Sequence, residues 1–358
     1  MLPGLLLLLA AGVSSPCATA ASSCTEWITL SKQSQRLLVF RSYPLDVRNS
    51  TVTRALVFVH GINRDGDNHF RTALAAAFLA GKLEDTVIIA PRFASKSGPP
   101  GNQAGDCRDI LAENEANWIC DPQRPDHWRS GGRETGDEQV TTFDFMDEIV
   151  RKLARKEIFP NLKRIVVAGH SAGGQFVMRY EISNRVHDSV DVPISYVVGN
   201  PSSYTYVDGQ RPSLSALPST ISAAAPGFAL PAPSKAPPPF VPFVDAGNCG
   251  GYDVWPYGLR NRMGYAARLS DSQLQTQLAK RPVTYLLGEA DILPLGVFDT
   301  SCPAMAQGPT RLARGLAFGR YVNEKLGGHH DTIVVPFCGH SARCLFTADV
   351  ALPLILPD

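Results

Sequence analysis

Six short runs rich in valine and isoleucine, spaced by loop and helix-like sequence, most constrain what this chain can fold into. They are Arg54–Val59, Thr86–Ala90, Lys163–Ala168, Ile194–Val198, Val283–Leu287 and Thr332–Val335. Near-continuous apolar strands of this length suit a parallel sheet covered on both faces, because neither face has to meet water. The stretches between them carry helical periodicity. From Glu138 to Lys156 the residues Val140, Phe143, Met146, Ile149, Val150 and Leu153 recur at steps of three and four, which places them on one helix face. Strand and helix in alternation predict a doubly wound α/β fold with one mostly parallel sheet. The earlier segment Gln35–Ser42 is expected to add an antiparallel edge. Sheets of this kind take ligands at the carboxyl ends of their strands, so the turns leaving each strand are where chemistry is expected.

Two stretches break the rhythm. Ser95 to Thr135 reads as loop, with Trp118 and Trp128 in it. Pro201 to Trp255, after the Ile194–Val198 run, holds ten prolines between Pro201 and Pro242, including the run APPPFVPF. That run can be neither helix nor central strand, since each proline removes a donor and fixes φ. It is read as an insertion in a single domain spanning 21–358, with Ser213–Lys235 an excursion rather than a cover. The sequence shows no repeats and no second unit with its own core.

Residues 1–20 are expected to form a secretory leader. An apolar run from Leu5 to Val13 is followed by small residues and an A-x-A site at Ala18-Thr19-Ala20, and the run is too short to span a bilayer. No integral membrane segment follows. Cys17 is preceded by Ser15-Pro16, which does not fit a lipid-anchor box. Cleavage after Ala20 would leave seven cysteines for an oxidising compartment. The pairs suggested are Cys107 with Cys120, Cys338 with Cys344, and Cys249 with Cys302, leaving Cys24 over. No C-x-x-C or H-x-x-x-H spacing argues for a metal. The formal net charge of +1 comes from acids and bases mixed along the chain, so neither a nucleic-acid stripe nor an acidic tail is present.

The chemistry concentrates at Gly169-His170-Ser171-Ala172-Gly173-Gly174, directly after KRIVVA and directly before the helix-like QFVMRYEISNRV. This is G-x-S-x-G in the context it requires, strand then sharp turn then helix. Small neighbours at Gly169 and Gly173 would let strand and helix approach while the hydroxyl projects from the sheet edge. A serine hydroxyl needs a base. Of the eight histidines, His340 follows the last strand in Cys338-Gly339-His340-Ser341. His329 and His330 precede that strand and belong to the wrong end of the sheet, and His170 sits inside the turn as a packing neighbour. The carboxylate that orients the base should follow the preceding strand, where Gly288-Glu289-Ala290-Asp291 stands. Asp291 is favoured, with Glu289 and Asp299 as alternatives. Backbone donors for a developing oxyanion are expected from the amides of Ala172 and of Ile62, the latter in the His60-Gly61-Ile62-Asn63 turn, where Gly61 would allow a tight bend.

Taken together, VFVHGIN, AGHSAGG, LLGEAD and PFCGHS resemble the α/β-hydrolase superfamily of lipases, esterases and cutinases, over roughly Arg54 to Phe346. The segments HGINRDG, IIAPRF and VVGNPSSY are similar to a group of exported fungal and bacterial members without an assigned substrate. The resemblance implies the α/β-hydrolase fold, no metal and no organic cofactor. It implies a small-molecule or polymeric ester substrate, cleaved by Ser171, Asp291 and His340 with Ile62 and Ala172 as oxyanion donors. The spacing from Asp291 to His340 is longer than usual, with a Cys302-containing insertion, which bears on the identity of the acid. Peptidase, thioesterase or acyltransferase action would use the same machinery, and a silent hydrolase fold acting as an exported binding protein is the alternative of another class. Trp118, Trp128, Tyr204, Tyr206, Tyr252 and Trp255 either line a pocket or shield loop backbone. Asn49-Ser50-Thr51 is a glycosylation sequon. Oligomeric state leaves no mark in the sequence.

Overall fold

A computed structural model describes residues 15–30, 33–96, 107–121, 124–213, 237–244 and 247–358. The apolar run Leu5–Val13 and nearly all of Ser213–Lys235 lie outside the described residues.

The described strands are β1 (Thr25–Thr29), β2 (Arg36–Arg41), β3 (Arg54–Val59), β4 (Thr86–Pro91), β5 (Arg164–His170), β6 (Ile194–Gly199), β7 (Gln210–Pro212), β8 (Phe240–Pro242), β9 (Val283–Gly288) and β10 (Asp331–Val335). Eight of them form one sheet in the order β1-β2-β4-β3-β5-β6-β9-β10. From β4 to β10 every neighbouring pair is parallel, while β1–β2 and β2–β4 are antiparallel. The Gln35–Ser42 segment is therefore antiparallel as expected but does not form the edge. The five-residue β1, too short and too polar at its ends to stand out in sequence, covers it.

Alternation along the central strands explains why both faces are covered. On β3, Ala55, Val57 and Val59 enter one core while Leu56 and Phe58 enter the other, as the two-residue period of a strand dictates. Each such side chain contributes about 1.5–3 kcal/mol when fully buried. The first core is shared with α2 (Thr142–Leu153), α3 (Ala172–Ser183), α4 (Asp271–Lys280) and α6 (Arg311–Leu326), the second with α1 (Gly66–Leu79), α7 (Ala342–Thr347) and α8 (Leu352–Ile355), while the one-turn α5 (Cys302–Met305) precedes α6. The helix expected over Glu138–Lys156 begins at Thr142. Thr141 ends the preceding extended chain, its hydroxyl accepting from the Asp144 amide at 3.2 Å while Asp144 accepts from the Thr141 amide at 2.9 Å, a reciprocal cap that satisfies two otherwise orphaned donors.

The insertion is not a sheet element. Its described part forms only the two-stranded ribbon β7–β8, where prolines can sit without breaking a central ladder. Trp118, Trp128, Tyr204, Tyr206 and Trp255 are all buried in the first core, and Tyr252 is half-buried. Trp128 packs on Phe176 of α3, Trp118 on Phe145 of α2, and Tyr204 and Tyr206 on Phe318 of α6, so these rings belong to the core rather than to an open wall.

Four disulfides join Cys17–Cys24, Cys107–Cys120, Cys249–Cys302 and Cys338–Cys344. Cys24 is thus not left over. Its partner lies upstream of the boundary expected after Ala20, and the Cys17 amide also donates to the Ser42 carbonyl at 2.7 Å. Four disulfides fit an oxidising compartment. Among the described residues no helix is long and apolar enough to cross a membrane.

Candidate active site

At the carboxyl end of β5 the chain turns sharply into α3, and Ser171 stands at the turn with φ 58° and ψ −115°. A non-glycine residue at positive φ is strained, so the surroundings must hold it. Its amide donates to the Gly199 carbonyl at 2.8 Å, and its carbonyl accepts from the Gln175 amide at 3.0 Å. The glycines on either side permit the crossing. A Cβ on Gly173 would lie 2.2 Å from the Val59 carbonyl oxygen, and one on Gly169 would lie 2.3 Å from the Gly173 carbonyl oxygen.

Two neighbouring turns converge on the serine. The turn after β9 carries Asp291, which is 2% exposed, and the turn after β10 carries the half-buried His340. His340 Nε2 lies 2.9 Å from Ser171 Oγ, and His340 Nδ1 lies 2.7 Å from Asp291 Oδ2. The structure therefore brings together Ser171, His340 and Asp291. Glu289 and Asp299 are occupied elsewhere, Glu289 accepting from the Phe337 amide at 3.0 Å and Asp299 from the Tyr257 hydroxyl at 2.7 Å. His170 is buried with its ring centre 4.7 Å from that of His340. Burial, followed by the effect of His340, holds it well below the usual imidazole range, so it packs as a neutral ring.

Two residues that sequence reasoning missed fix these turns. Asn200, at the end of β6, accepts from the Gly288 amide at 2.8 Å and donates to the Gly339 carbonyl at 3.2 Å, tying the acid's turn to the base's turn. Arg311, at the start of α6, donates through Nη1 to Asp291 Oδ1 at 3.3 Å, with both side chains shut from water. Its remaining donors reach Ser202 Oγ at 3.1 Å and the Leu295 and Val297 carbonyls at 3.0 and 3.1 Å. One carboxylate oxygen thus holds the imidazole while the other is held by a guanidinium, and a buried carboxylate needs such partners to stay charged. VVGNPSSY contained Asn200 only as part of a longer resemblance. Arg311 follows no motif at all. The Cys338–Cys344 bond closes the loop that carries His340.

The turn after β3 lies beside this assembly because Val59 pairs with Gly169 across the β3–β5 ladder. His60 fixes it: Nδ1 bonds the Gly61 carbonyl at 2.8 Å, and Nε2 accepts from the Phe93 amide at 3.0 Å. Burial pushes His60 down to about 3. Ile62 is half-buried and Ala172 opens α3, so the Ala172 amide has no partner within its helix. Gly61 is not required sterically, since a Cβ there would meet nothing nearer than 3.9 Å. The bend is taken up instead by Arg64, whose φ is 57°. Among the described residues no cluster of His, Cys, Asp and Glu is arranged to hold a metal ion.

A mostly parallel sheet with a strained strand–serine–helix turn at its carboxyl edge defines a hydrolase of the α/β class. Residues 56–351 match the Alpha/beta hydrolase family model, well over half of the chain, and the protein belongs to that family. Two solved structures are similar over most of their length. One is LpqC, a poly(3-hydroxybutyrate) depolymerase from Bordetella parapertussis, with 19% identity, a TM-score of 0.56, and 93% of this chain and 92% of that chain covered. The other is poly(aspartic acid) hydrolase-1 from Sphingomonas sp. KT-1, with 20% identity, a TM-score of 0.53, and coverage of 92% and 98%. At such identity the likeness speaks for the fold. No curated protein matches the chain by sequence.

Proposed function

We propose that the protein is an exported serine hydrolase that cleaves carboxylic esters, small or polymeric, through an acyl-enzyme. The observation that carries this is the unbroken line Ser171 Oγ, His340 Nε2, His340 Nδ1, Asp291 Oδ2, at 2.9 and 2.7 Å. In the reaction His340 Nε2 accepts the Ser171 proton as Oγ attacks the ester carbonyl, and the new charge falls on the carbonyl oxygen. The amides of Ala172 and Ile62 donate to it. His340 then gives its proton to the departing alcohol oxygen, the C–O bond breaks, and an ester to Ser171 remains. Water, losing a proton to the same nitrogen, attacks that ester. The proton returns to Oγ as the acid leaves. Asp291 holds Nδ1 and stabilises the imidazolium, and Arg311 keeps Asp291 in place.

An alkyl fluorophosphonate should label the folded, oxidised protein at Ser171 and leave Ser171→Ala unlabelled. Equal labelling of the two would remove Ser171 from this role, and no labelling of either would return the chain to the silent-fold alternative. Export through the leader is part of the same proposal. Cleavage after Ala20 removes Cys17 and so frees the Cys24 thiol, whereas a cut upstream of Cys17 preserves the bond. Because the bond and the Cys17 amide both tie this segment to the fold, the secreted chain is expected to start before Cys17 and to show no free thiol on denaturation. An Ala21 terminus with a titratable thiol would restore the boundary at Ala20, and retention of the intact chain in the cell would end the export reading.

A further inference from the structure

Beside α3, two arginines are buried with no carboxylate in ion-pair contact. Arg129, in the 3-10 turn Trp128–Ser130, and Arg179, on α3, are 6% and 1% exposed. Among the described residues no carboxylate forms an ion pair with either. They are joined through neutral groups. Arg129 Nη1 donates to Gln175 Oε1 at 3.0 Å, Gln175 Nε2 donates to Ser203 Oγ at 2.7 Å, and Arg179 Nη2 donates to the same oxygen at 3.3 Å. Arg129 Nε, Arg179 Nε and Arg179 Nη1 are buried with no acceptor. Ser203 Oγ already accepts twice, so its own hydrogen is a fourth donor. Two carboxylates act on the pair without touching it, Asp299 on both arginines and Asp121 on Arg129; that of Asp299 is engaged by the Tyr257 and Ser301 hydroxyls at 2.7 and 2.6 Å.

A buried guanidinium with unmet donors is costly, and two near each other more so. Burial, and then the charge of Arg129, lowers Arg179 to about 9. Burial also holds His127 well below the imidazole range, with the charges of Arg129 and Arg179 adding to that effect, so the third basic group beside the pair stays neutral. A site whose unpaired atoms are all donors, most of them on two cationic side chains, is complementary to an anion.

Its position says which anion. Gln175 lies one helical turn after Ser171, a rise of about 6 Å. Side chains on a helix lean toward its amino end, which is why Arg179, a further turn on, meets Ser203 at the level of Gln175. Ser203 follows β6 and adjoins Ser202, which touches Arg311. Resting on the ester-hydrolase reading, we propose that the substrate is an ester whose acyl part carries a second carboxylate a few carbons from the scissile carbonyl, held by Arg129, Arg179 and Ser203.

The test compares monoethyl glutarate with ethyl pentanoate by pH-stat. The expected ratio of kcat/KM favours the glutarate ester by about ten- to a hundredfold, the range of one or two charge-assisted hydrogen bonds. In Arg129→Met and Arg179→Met the ratio should fall toward one. A wild-type ratio at or below one overturns the inference without using a variant. Calorimetry separates this result from the fate of the esterase reading: glutarate should bind Ser171→Ala protein and fail to bind Ser171→Ala/Arg179→Met. Binding of glutarate without hydrolysis of any ester keeps the anion site and sinks the esterase reading, whereas equal hydrolysis of both esters does the reverse. If chloride binds at the pair and glutarate does not displace it, the arginines hold a resident inorganic ion and the substrate assignment falls.

Discussion

Ser171→Ala and His340→Ala are each expected to lower kcat for ester hydrolysis by about 10⁴- to 10⁶-fold, with KM changed little. The alanine at position 171 leaves the Ala172 and Ile62 amides in place but removes the Oγ proposed to form the acyl bond. The alanine at position 340 leaves Oγ present without its proton acceptor, and the neighbouring imidazoles are placed otherwise: His170 lies tilted against the His340 ring, and His60 spends both nitrogens on backbone. Since the residues act as one unit, the double variant should be no slower than either single one. Asp291→Asn should cost about 10⁴-fold, as it presents the wrong partner to Nδ1. Arg311→Met should cost about ten- to a hundredfold in kcat and little in KM, and Arg311→Lys should recover part of it, because a point charge restores one contact of the several that the guanidinium makes. A Ser171→Ala protein retaining more than about a hundredth of the activity would defeat the scheme, as would losses that multiply in the double variant.

Five of the six predicted strands were legible because they are buried on both faces and so read as apolar runs, whereas β10, at the sheet edge with Val334 exposed, was legible by its run Ile333–Val335 alone. β3 begins and ends where its run does, and β4, β5, β6, β9 and β10 differ from theirs by a residue or two. β1 escaped because TEWIT carries one fully buried residue and pairs along only one side. Ser171 and His340 were legible for a different reason: a strained turn and a post-strand loop impose local sequence. Asp291 was legible only by its place after β9, and geometry, not pattern, separates it from Glu289 and Asp299. Arg311, Asn200 and the Arg129–Arg179 pair were not legible, since each acts across the fold on a residue far away in sequence. A charged side chain at a helix start looks like any solvated residue until its partner is seen. The Cys17–Cys24 bond was hidden by the reading of Cys17 as part of a leader.

Stability is expected to fall steeply as pH drops below 6.5, starting before general carboxylate titration begins. Five imidazoles are depressed by burial: His60 to about 3, His187 and His330 to about 4, and His127 and His170 well below their usual range. The native fold keeps them neutral, whereas the unfolded chain protonates each near pH 6.5. Their contribution is therefore fully present above pH 6.5 and is lost as pH falls toward the folded values. Three acids oppose the trend, since burial raises Asp147 to about 6, Glu181 well above its usual range, and Glu115 more modestly; the fold holds protons that the unfolded chain has released. Near pH 5 the balance is a net uptake of about three protons on unfolding, or about 4 kcal/mol per pH unit. Below pH 4 the compensation fades as unfolded carboxylates protonate. Asp65, lowered to about 2 chiefly by His69 against the cost of its own burial, then adds to the loss. Against a total stability of about 5–15 kcal/mol, the midpoint should fall roughly between pH 3.5 and 5. Near-UV circular dichroism and Tm measured from pH 7.5 to 4 check this, and His330→Gln should flatten the slope by about 1.4 kcal/mol per pH unit. A Tm that stays level between pH 7 and 5 would mean that the imidazoles take up protons in place, and that the core around β3, β5 and α3 tolerates charge where its burial argues it should not.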